Sequence, residues 1–166
     1  PRVGIRLRHG RIRTWPVGQR NDLGISDMTA TQSNPAYPQP RETPTNAPML
    51  AAWREGTLAL QECDACGHIF FYPRSVCPKC WDPGLTWITS DGRGRIVSFS
   101  RIHRGLPEAF ADEAPIVLAE IAVTEGALML ARIICDDAEA IQSTLPVRLL
   151  SMPEAARYPL PTFTLD

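Results

Sequence analysis

The chain has 166 residues, a formal net charge of −1 and 44% hydrophobic residues, enough apolar content to bury one domain of ordinary size or two small ones. No apolar run approaches the roughly 20 residues that a membrane-spanning helix needs, so we expect no membrane association. Residues 86–166 carry seven arginines against eleven acids, a net charge of −4. Because nucleic-acid-binding modules normally concentrate positive charge, this balance disfavours nucleic acid as a partner.

Residues 1–45 are predicted to be disordered, because they are rich in arginine and proline and offer little apolar surface. Residues 1–27 alone carry six arginines against two aspartates. Arginine-rich tails occur as nucleic-acid arms and as transit peptides. We favour a third interpretation, in which Met28 is the true start and the preceding residues are an upstream extension of the gene.

The first predicted element is a short amphipathic helix, Ala47–Glu55, with Asn46 as its N-cap. Met49, Leu50 and Trp53 fall on one face of this helix. A helix this short is not stable alone and must dock, either on its own chain or on a partner subunit. We predict that Trp53 anchors in a partner.

Four cysteines form two knuckles, Cys63-x2-Cys66 and, ten residues later, Cys77-x2-Cys80. Each C-x-x-C pair directs two thiolates to one side of a tight turn, and a hairpin can bring the pairs together into a tetrahedral cage. Gly67 directly after the first pair suits the backbone of a knuckle. The spacing predicts a zinc ribbon across residues 46–85.

Rubredoxin-type iron and a disulfide framework are the alternatives to zinc. The gap between the pairs is short for iron, and the chain shows no secretory signal, so we expect reduced thiols in the cytoplasm. Four thiolates saturate the metal and leave no open position for water or substrate. We therefore expect zinc to be structural, with His68 beside the first knuckle as a spare ligand that is not needed.

The rest of the chain, residues 86–166, is predicted to be all-β. Strand-like runs rich in Val, Ile, Leu and Phe recur here. They are Thr86–Ser90, Arg95–His103, Ile116–Val123, Leu128–Cys135 and Pro146–Ser151. Asp136–Ser143 has room for one or two helical turns. Five strands with a short helix before the fifth predict a small Greek-key barrel of the oligonucleotide/oligosaccharide-binding (OB) type. The overall fold class is mainly β: a short helix, a rubredoxin-like zinc ribbon and a five-stranded OB barrel.

The barrel region holds few candidates for chemistry. Cys135 is better explained as a small hydrophobe in the barrel wall than as a nucleophile. Arg101, His103 and Arg104 cluster where a strand leaves the barrel, and loops of OB folds present binding groups there. Guanidinium groups suit the 3′-phosphate and pyrophosphate of coenzyme A, although exposed arginines at a strand end would look the same.

In order and content, residues 46–165 resemble the bacterial and archaeal zinc-ribbon/OB-fold proteins that accompany acyl-CoA enzymes, long called a domain of unknown function. The matching segments are Ala52–Gly56, Leu60–Gly67, Tyr72–Cys80, Gly92–Ser100, His103–Arg104, Ala114–Ile121 and Leu145–Arg148. Trp81 departs from the family pattern, which commonly has glycine or another small residue there.

The resemblance implies a noncatalytic subunit that docks on a thiolase-like or other acyl-CoA enzyme and helps to shape its acyl-CoA site. The sequence agrees, since it has no nucleophile elbow, P-loop or two-histidine metal motif. Two other classes stay open: a single-stranded nucleic-acid binder of the OB type, and a stand-alone acyl-CoA enzyme. We predict no catalytic residue in this chain.

Overall fold

The computed structural model describes residues 3–6, 12–15 and 37–166. Met28 and most of the segment predicted to be disordered lie outside these ranges. The structure departs from that prediction in two places. Val3–Arg6 (β1) and Ile12–Trp15 (β2) form an antiparallel pair of strands. Tyr37 also falls in the segment predicted to be disordered, nine residues before Asn46, yet its side chain is buried at 2% exposure.

The predicted helix is confirmed as Ala47–Arg54 (α1). Met49, Leu50 and Trp53 are buried, as the pattern indicated. Asn46 is the N-cap, but its side chain accepts a hydrogen bond from the backbone N–H of Thr43, so it stabilises the turn ahead of the helix instead of the first helical amides.

A sheet carries the zinc ribbon. Its strands Ala59–Cys63 (β3), Ile69–Phe70 (β4) and Leu85–Thr89 (β5) extend the pair described above in the order β2-β1-β5-β3-β4. The sequence interpretation placed Thr86–Ser90 in the barrel, and this was wrong. Along its whole length β5 pairs antiparallel with β3, with Leu60 opposite Ile88, and it therefore belongs to the ribbon.

Five strands form a closed barrel, as predicted. They are Arg93–Ile102 (β6), Ile116–Val123 (β7), Leu128–Ile134 (β8), Pro146–Leu149 (β9) and Thr162–Leu165 (β10), in the order β10-β8-β7-β6-β9. The fifth member is β10, which sequence analysis missed. It pairs parallel with β8 and antiparallel with β9, and its Phe163 is fully buried. A 3₁₀ turn, Ala138–Ala140, lies in the region where helical turns were predicted.

The ribbon and the barrel share one hydrophobic core, in which Leu60 and Trp87 belong to the same cluster as Ile121 and Phe163. The connection between them is held by Glu125, whose carboxylate accepts hydrogen bonds from the Ser90 hydroxyl at 2.9 Å and from the Asp91 backbone N–H at 2.8 Å. The two modules therefore have a fixed relative position. Among the described residues, no helix is long and apolar enough to cross a bilayer.

Candidate functional site

The four knuckle cysteines converge on one small volume. The Sγ atoms of Cys63, Cys66, Cys77 and Cys80 all lie within 4.8 Å of one another. The Cys63 and Cys80 sulfurs are 3.5 Å apart, and those of Cys66 and Cys77 are 3.7 Å apart. Four soft sulfur donors at these separations fit a tetrahedral zinc ion. The structure thus brings together all four metal ligands predicted from the spacing.

Both knuckles have the same backbone. The N–H of Gly67 donates to the carbonyl of Cys63 at 2.9 Å, and the N–H of Trp81 donates to the carbonyl of Cys77 at 3.0 Å. Each donor residue is in the left-handed region, with φ of 67° and 65°. A bulky non-glycine residue is an outlier there. The second knuckle therefore keeps a conformation that glycine would adopt at lower cost.

The electrostatics of the cluster call for a cation. The pKa of Cys77 is lowered to about 7: burial raises it, but the backbone N–H groups of Cys80 and Lys79 outweigh that effect. The backbone N–H of Asp82 lowers the pKa of Cys80, yet Cys66, burial and the other two thiols together raise it to about 12. Four thiolates this close are therefore not stable without a positive ion between them.

The ribbon sheet positions this cage. Cys63 ends β3, and its N–H donates to the carbonyl of His68 at 3.0 Å. The His68 ring stacks on Phe70, 5.6 Å between centroids, and is not part of the four-ligand group. Thr86 on β5 donates its hydroxyl to the Asp64 carboxylate at 2.8 Å, which fastens the first knuckle to the sheet.

Arg101 is engaged within the chain and does not form a site with its sequence neighbours. Its guanidinium donates to the backbone carbonyls of Ala138, Glu139 and Ile141 at 2.6, 3.0 and 2.9 Å, and it lies over the Phe99 ring at 4.8 Å. These contacts clamp the turn after β8 to β6. The predicted coenzyme A contact of Arg101 is not supported by this geometry, because the guanidinium already serves as the cap of that turn.

His103 and Arg104 remain available for a ligand. Both side chains are exposed at the start of the loop that joins β6 to β7. Within the part of the chain that the structure describes, neither side chain has a hydrogen bond or ion pair with another residue. Of the three predicted residues, His103 and Arg104 are exposed and Arg101 holds the neighbouring turn.

The prediction that Trp53 anchors in a partner is wrong. Its side chain is 3% exposed, packs with Leu150 and Ala155, and donates its indole Nε1–H to the carbonyl of Tyr158 at 2.7 Å. The helix docks on its own chain because the segment between β9 and β10, which sequence analysis left without structure, covers it. Trp53 is therefore a core residue.

Among the described residues, the four most exposed large apolar side chains lie elsewhere. Trp81 on the second knuckle is 76% exposed, whereas Trp53 and Trp87 are buried. Leu128 and Leu130 point outward from β8 at 52% and 56% exposure, and Tyr72 is 49% exposed. The Tyr72 hydroxyl accepts the backbone N–H of Leu130 at 2.9 Å, so these three residues are neighbours. We call Tyr72, Leu128 and Leu130 the junction patch, since it joins the ribbon to the barrel.

The junction patch had a signal in the sequence that was not used. A barrel strand with one face in water alternates apolar and polar residues. The run Leu128–Ala131 is apolar at every position, although Met129 and Ala131 alone face the core. Uninterrupted apolar character is typical of strands that are covered on both faces.

A four-cysteine ribbon fused to a closed five-stranded barrel defines the class of the chain: a rubredoxin-like zinc ribbon with a C-terminal OB fold. Family models described as "ChsH2, rubredoxin-like zinc ribbon domain" and "ChsH2, C-terminal OB-fold domain" match residues 50–86 and 87–150. The chain belongs to this ChsH2 family, also known as DUF35. The resemblance noted from the sequence is confirmed.

Curated relatives fall into two groups. A DUF35 domain-containing scaffold protein of Methanothermobacter thermautotrophicus is 38% identical over 82 residues, covering 49% of this chain and 61% of that protein. A probable enoyl-CoA hydratase alpha subunit of Thermomonospora curvata is 25% identical over 138 residues, covering 83% of this chain and 43% of that protein. The chain thus spans only about two fifths to three fifths of the length of these relatives.

Among solved structures, the chain is similar to a chain of the Ltp2-ChsH2(DUF35) aldolase. The TM-score is 0.64 at 26% identity, with 76% of this chain and 98% of that chain covered. A DUF35 protein of unknown function from Sulfolobus solfataricus has a TM-score of 0.53 at 17% identity, covering 74% of this chain and 86% of that one. The second likeness shows the fold alone.

Proposed function

We propose that the chain is a noncatalytic accessory subunit that docks on an acyl-CoA enzyme of the thiolase superfamily, or a related aldolase or hydratase, and helps to shape its acyl-CoA site. The observation that carries this proposal is the likeness to nearly the whole length of a chain in the Ltp2-ChsH2(DUF35) aldolase. The scaffold and hydratase-subunit relatives support the same class of role.

Exposed apolar side chains supply the surface for such an enzyme subunit. The junction patch and Trp81 present aromatic and aliphatic groups of the kind that dominate binding energy at protein interfaces. Trp81 combines high exposure with a backbone conformation that disfavours it, so its indole serves a purpose other than stability of this chain. We assign both features to contact with the acyl-CoA enzyme.

His103 and Arg104 are the residues that we assign to the coenzyme. They are exposed on the β6–β7 loop, and a guanidinium pairs well with the phosphates of coenzyme A. The chemistry of the acyl group then belongs to the partner enzyme. The four cysteines would hold zinc with no open position, and the ion would then supply structural cross-linking of the two knuckles.

The structure does not support the alternative that the chain binds single-stranded nucleic acid. Single-stranded binders stack bases on exposed aromatic rings of a basic barrel face. Trp87 and Phe163 are buried at 5% and 0% exposure, and residues 86–166 carry a net charge of −4. Trp87 and Phe163 therefore belong to the core and offer no ring to a base.

The proposal is tested by titrating the purified chain into a thiolase-like acyl-CoA aldolase subunit from the same organism. We expect a stable complex, and about 30-fold weaker binding when Trp81→Ala is combined with Leu130→Asp, as for loss of interface hot spots. Arg148→Ala is the matched control. It is exposed on β9, which does not adjoin β8 in the barrel, and it should bind like the wild type. A wild-type chain that does not bind any such subunit would overturn the proposal.

A further inference from the structure

Four segments that are far apart in the sequence meet at the carboxylate of Glu113. This residue ends the 3₁₀ segment Glu108–Glu113 in the β6–β7 loop. It accepts hydrogen bonds from the hydroxyl of Tyr37, from the guanidinium of Arg132 on β8 at 2.5 Å, and from Arg157 before β10 at 3.4 Å. Its side chain is 17% exposed.

Tyr37 adds aromatic contacts to the same place. Its ring stacks on Phe110 of the loop, 5.1 Å between centroids, and lies 5.9 Å from the ring of Tyr158. The guanidinium of Arg157 lies over both tyrosine rings, at 5.9 and 5.8 Å. The segment ahead of α1 and the loop after β6 are therefore packed on each other.

Moving Glu113 out of this position would cost free energy. Arg132 is 16% exposed, and its Nε is buried without a hydrogen-bond partner among the described residues. Its pairing with Glu113 is the main compensation for burying that charge. By contrast, no side chain of Glu108–Glu113 is fully buried, so the loop has little apolar anchoring of its own. Glu113 and Phe110 thus fix where the loop lies.

We propose that Glu113 couples the docking of the segment ahead of α1, residues 37–46, to the position of the β6–β7 loop, residues 103–115. Tyr37 and Glu113 are then positioning residues for His103 and Arg104. Because coupling is reciprocal, a ligand that holds the loop also tightens the segment, and a partner that holds the segment also orders the loop. The assignment of a coenzyme to the loop rests on the proposed function, whereas the coupling is a property of the chain alone.

Limited digestion with trypsin tests the coupling on the full zinc-loaded chain without any partner. Each element carries one exposed cleavage site, Arg41 in the segment and Arg104 in the loop. Cleavage at such sites follows the population of the open form. Tyr37→Phe keeps the ring and removes only the hydroxyl. We expect cleavage after both arginines to accelerate about tenfold, as for loss of a hydrogen bond to a charged group.

Glu113→Gln removes the charge from the other partner of the same hydrogen bond. It should accelerate both cleavages at least as much as Tyr37→Phe. Asp166→Asn is the control, since it removes a different arginine pair, with Arg93 at 2.6 Å, and should leave both rates unchanged. Faster cleavage after Arg41 alone in Tyr37→Phe would overturn the coupling. Equal acceleration at Arg148 inside β9 would overturn it too, because Arg148 is not a partner of Glu113 and its faster cleavage would show general loss of stability. Failure to bind an acyl-CoA enzyme would leave this result untouched.

Discussion

Gly67 and Trp81 occupy equivalent positions in the two knuckles, with φ of 67° and 65°, yet one has no side chain and the other has the largest. Each donates its N–H to the carbonyl of the first cysteine of its pair. The left-handed region costs an ordinary residue about 1 kcal/mol or more. A tryptophan kept there at 76% exposure is best explained by a role in binding.

Trp81→Gly and Trp81→Ala together should measure the cost of a side chain at this positive φ. We expect Trp81→Gly to be about 1 kcal/mol more stable than Trp81→Ala, because glycine adopts positive φ without strain while alanine does not. Zinc content should stay at one ion per chain in both. Urea denaturation gives the stability difference. Equal stabilities would mean that the second knuckle is not strained by its side chain.

Replacing Cys63 by serine should remove the metal and unfold the ribbon. The cysteine ends β3 at 1% exposure, and binding free energy at such sites, about 10 kcal/mol or more, is largely folding free energy. Zinc content by atomic emission and amide dispersion by NMR are the measurements. Cys135→Ser is the matched control and should retain zinc, since Cys135 lies outside the four-cysteine group. A folded, zinc-free Cys63→Ser ribbon would show that the metal is incidental.

Alanine substitutions of Arg101 and Arg104 should affect stability differently, although the two residues are only three positions apart. Arg101→Ala removes three donations to backbone carbonyls and should destabilise the chain by about 2 kcal/mol or more. Arg104→Ala should stay within about 0.5 kcal/mol of the wild type, as for an exposed position. In the assembled enzyme, Arg104→Ala should raise the apparent KM for acyl-CoA. Unchanged kinetics would remove Arg104 from the coenzyme site.

The pairing of Glu113 predicts a pH dependence. Burial raises the pKa of this carboxyl, but the hydrogen bonds from Tyr37 and Arg132 and the charges of Arg132 and Arg157 lower it overall. A lowered pKa in the folded state stabilises the protein above the unfolded value of about 4.3, and this stabilisation is lost as the pH falls through the folded value. The stability difference between wild type and Glu113→Gln should therefore shrink below about pH 4.

Denaturation at pH 6 and at successively lower pH measures that difference. Both proteins carry the same zinc site, so acid loss of zinc affects them alike and largely cancels. A difference that is constant across this range would mean that Glu113 does not titrate with a lowered pKa.

Local chemistry made the ribbon predictable. Metal-ligand spacing and a short amphipathic helix are encoded in adjacent residues, so the four cysteines and α1 were found where they were expected. Ile116–Val123 was also placed correctly, because its sequence is rich in Ile, Val and Leu. These features need no knowledge of distant parts of the chain.

What the sequence could not supply was pairing across long separations. The sequence of residues 85–89 is typical of a barrel strand. Only its pairing with β3 shows that it belongs to the ribbon. Thr162–Leu165 is four residues long and follows two prolines, so it carried little pattern although Phe163 is fully buried. Trp53 was assigned to a partner for the same reason, since its cover comes from Tyr158, 105 residues later.

The most direct test of the central claim is turnover measured on the chain, on its acyl-CoA enzyme partner, and on both together. With purified zinc-loaded chain and the thiolase-like aldolase subunit, we expect one stable heteromeric complex by native mass spectrometry. We also expect acyl-CoA turnover by the complex and none by the chain alone. Trp81→Ala combined with Leu130→Asp should weaken the complex about 30-fold while zinc is retained. Acyl-CoA turnover by the isolated chain, or full activity of the subunit without it, would contradict the account.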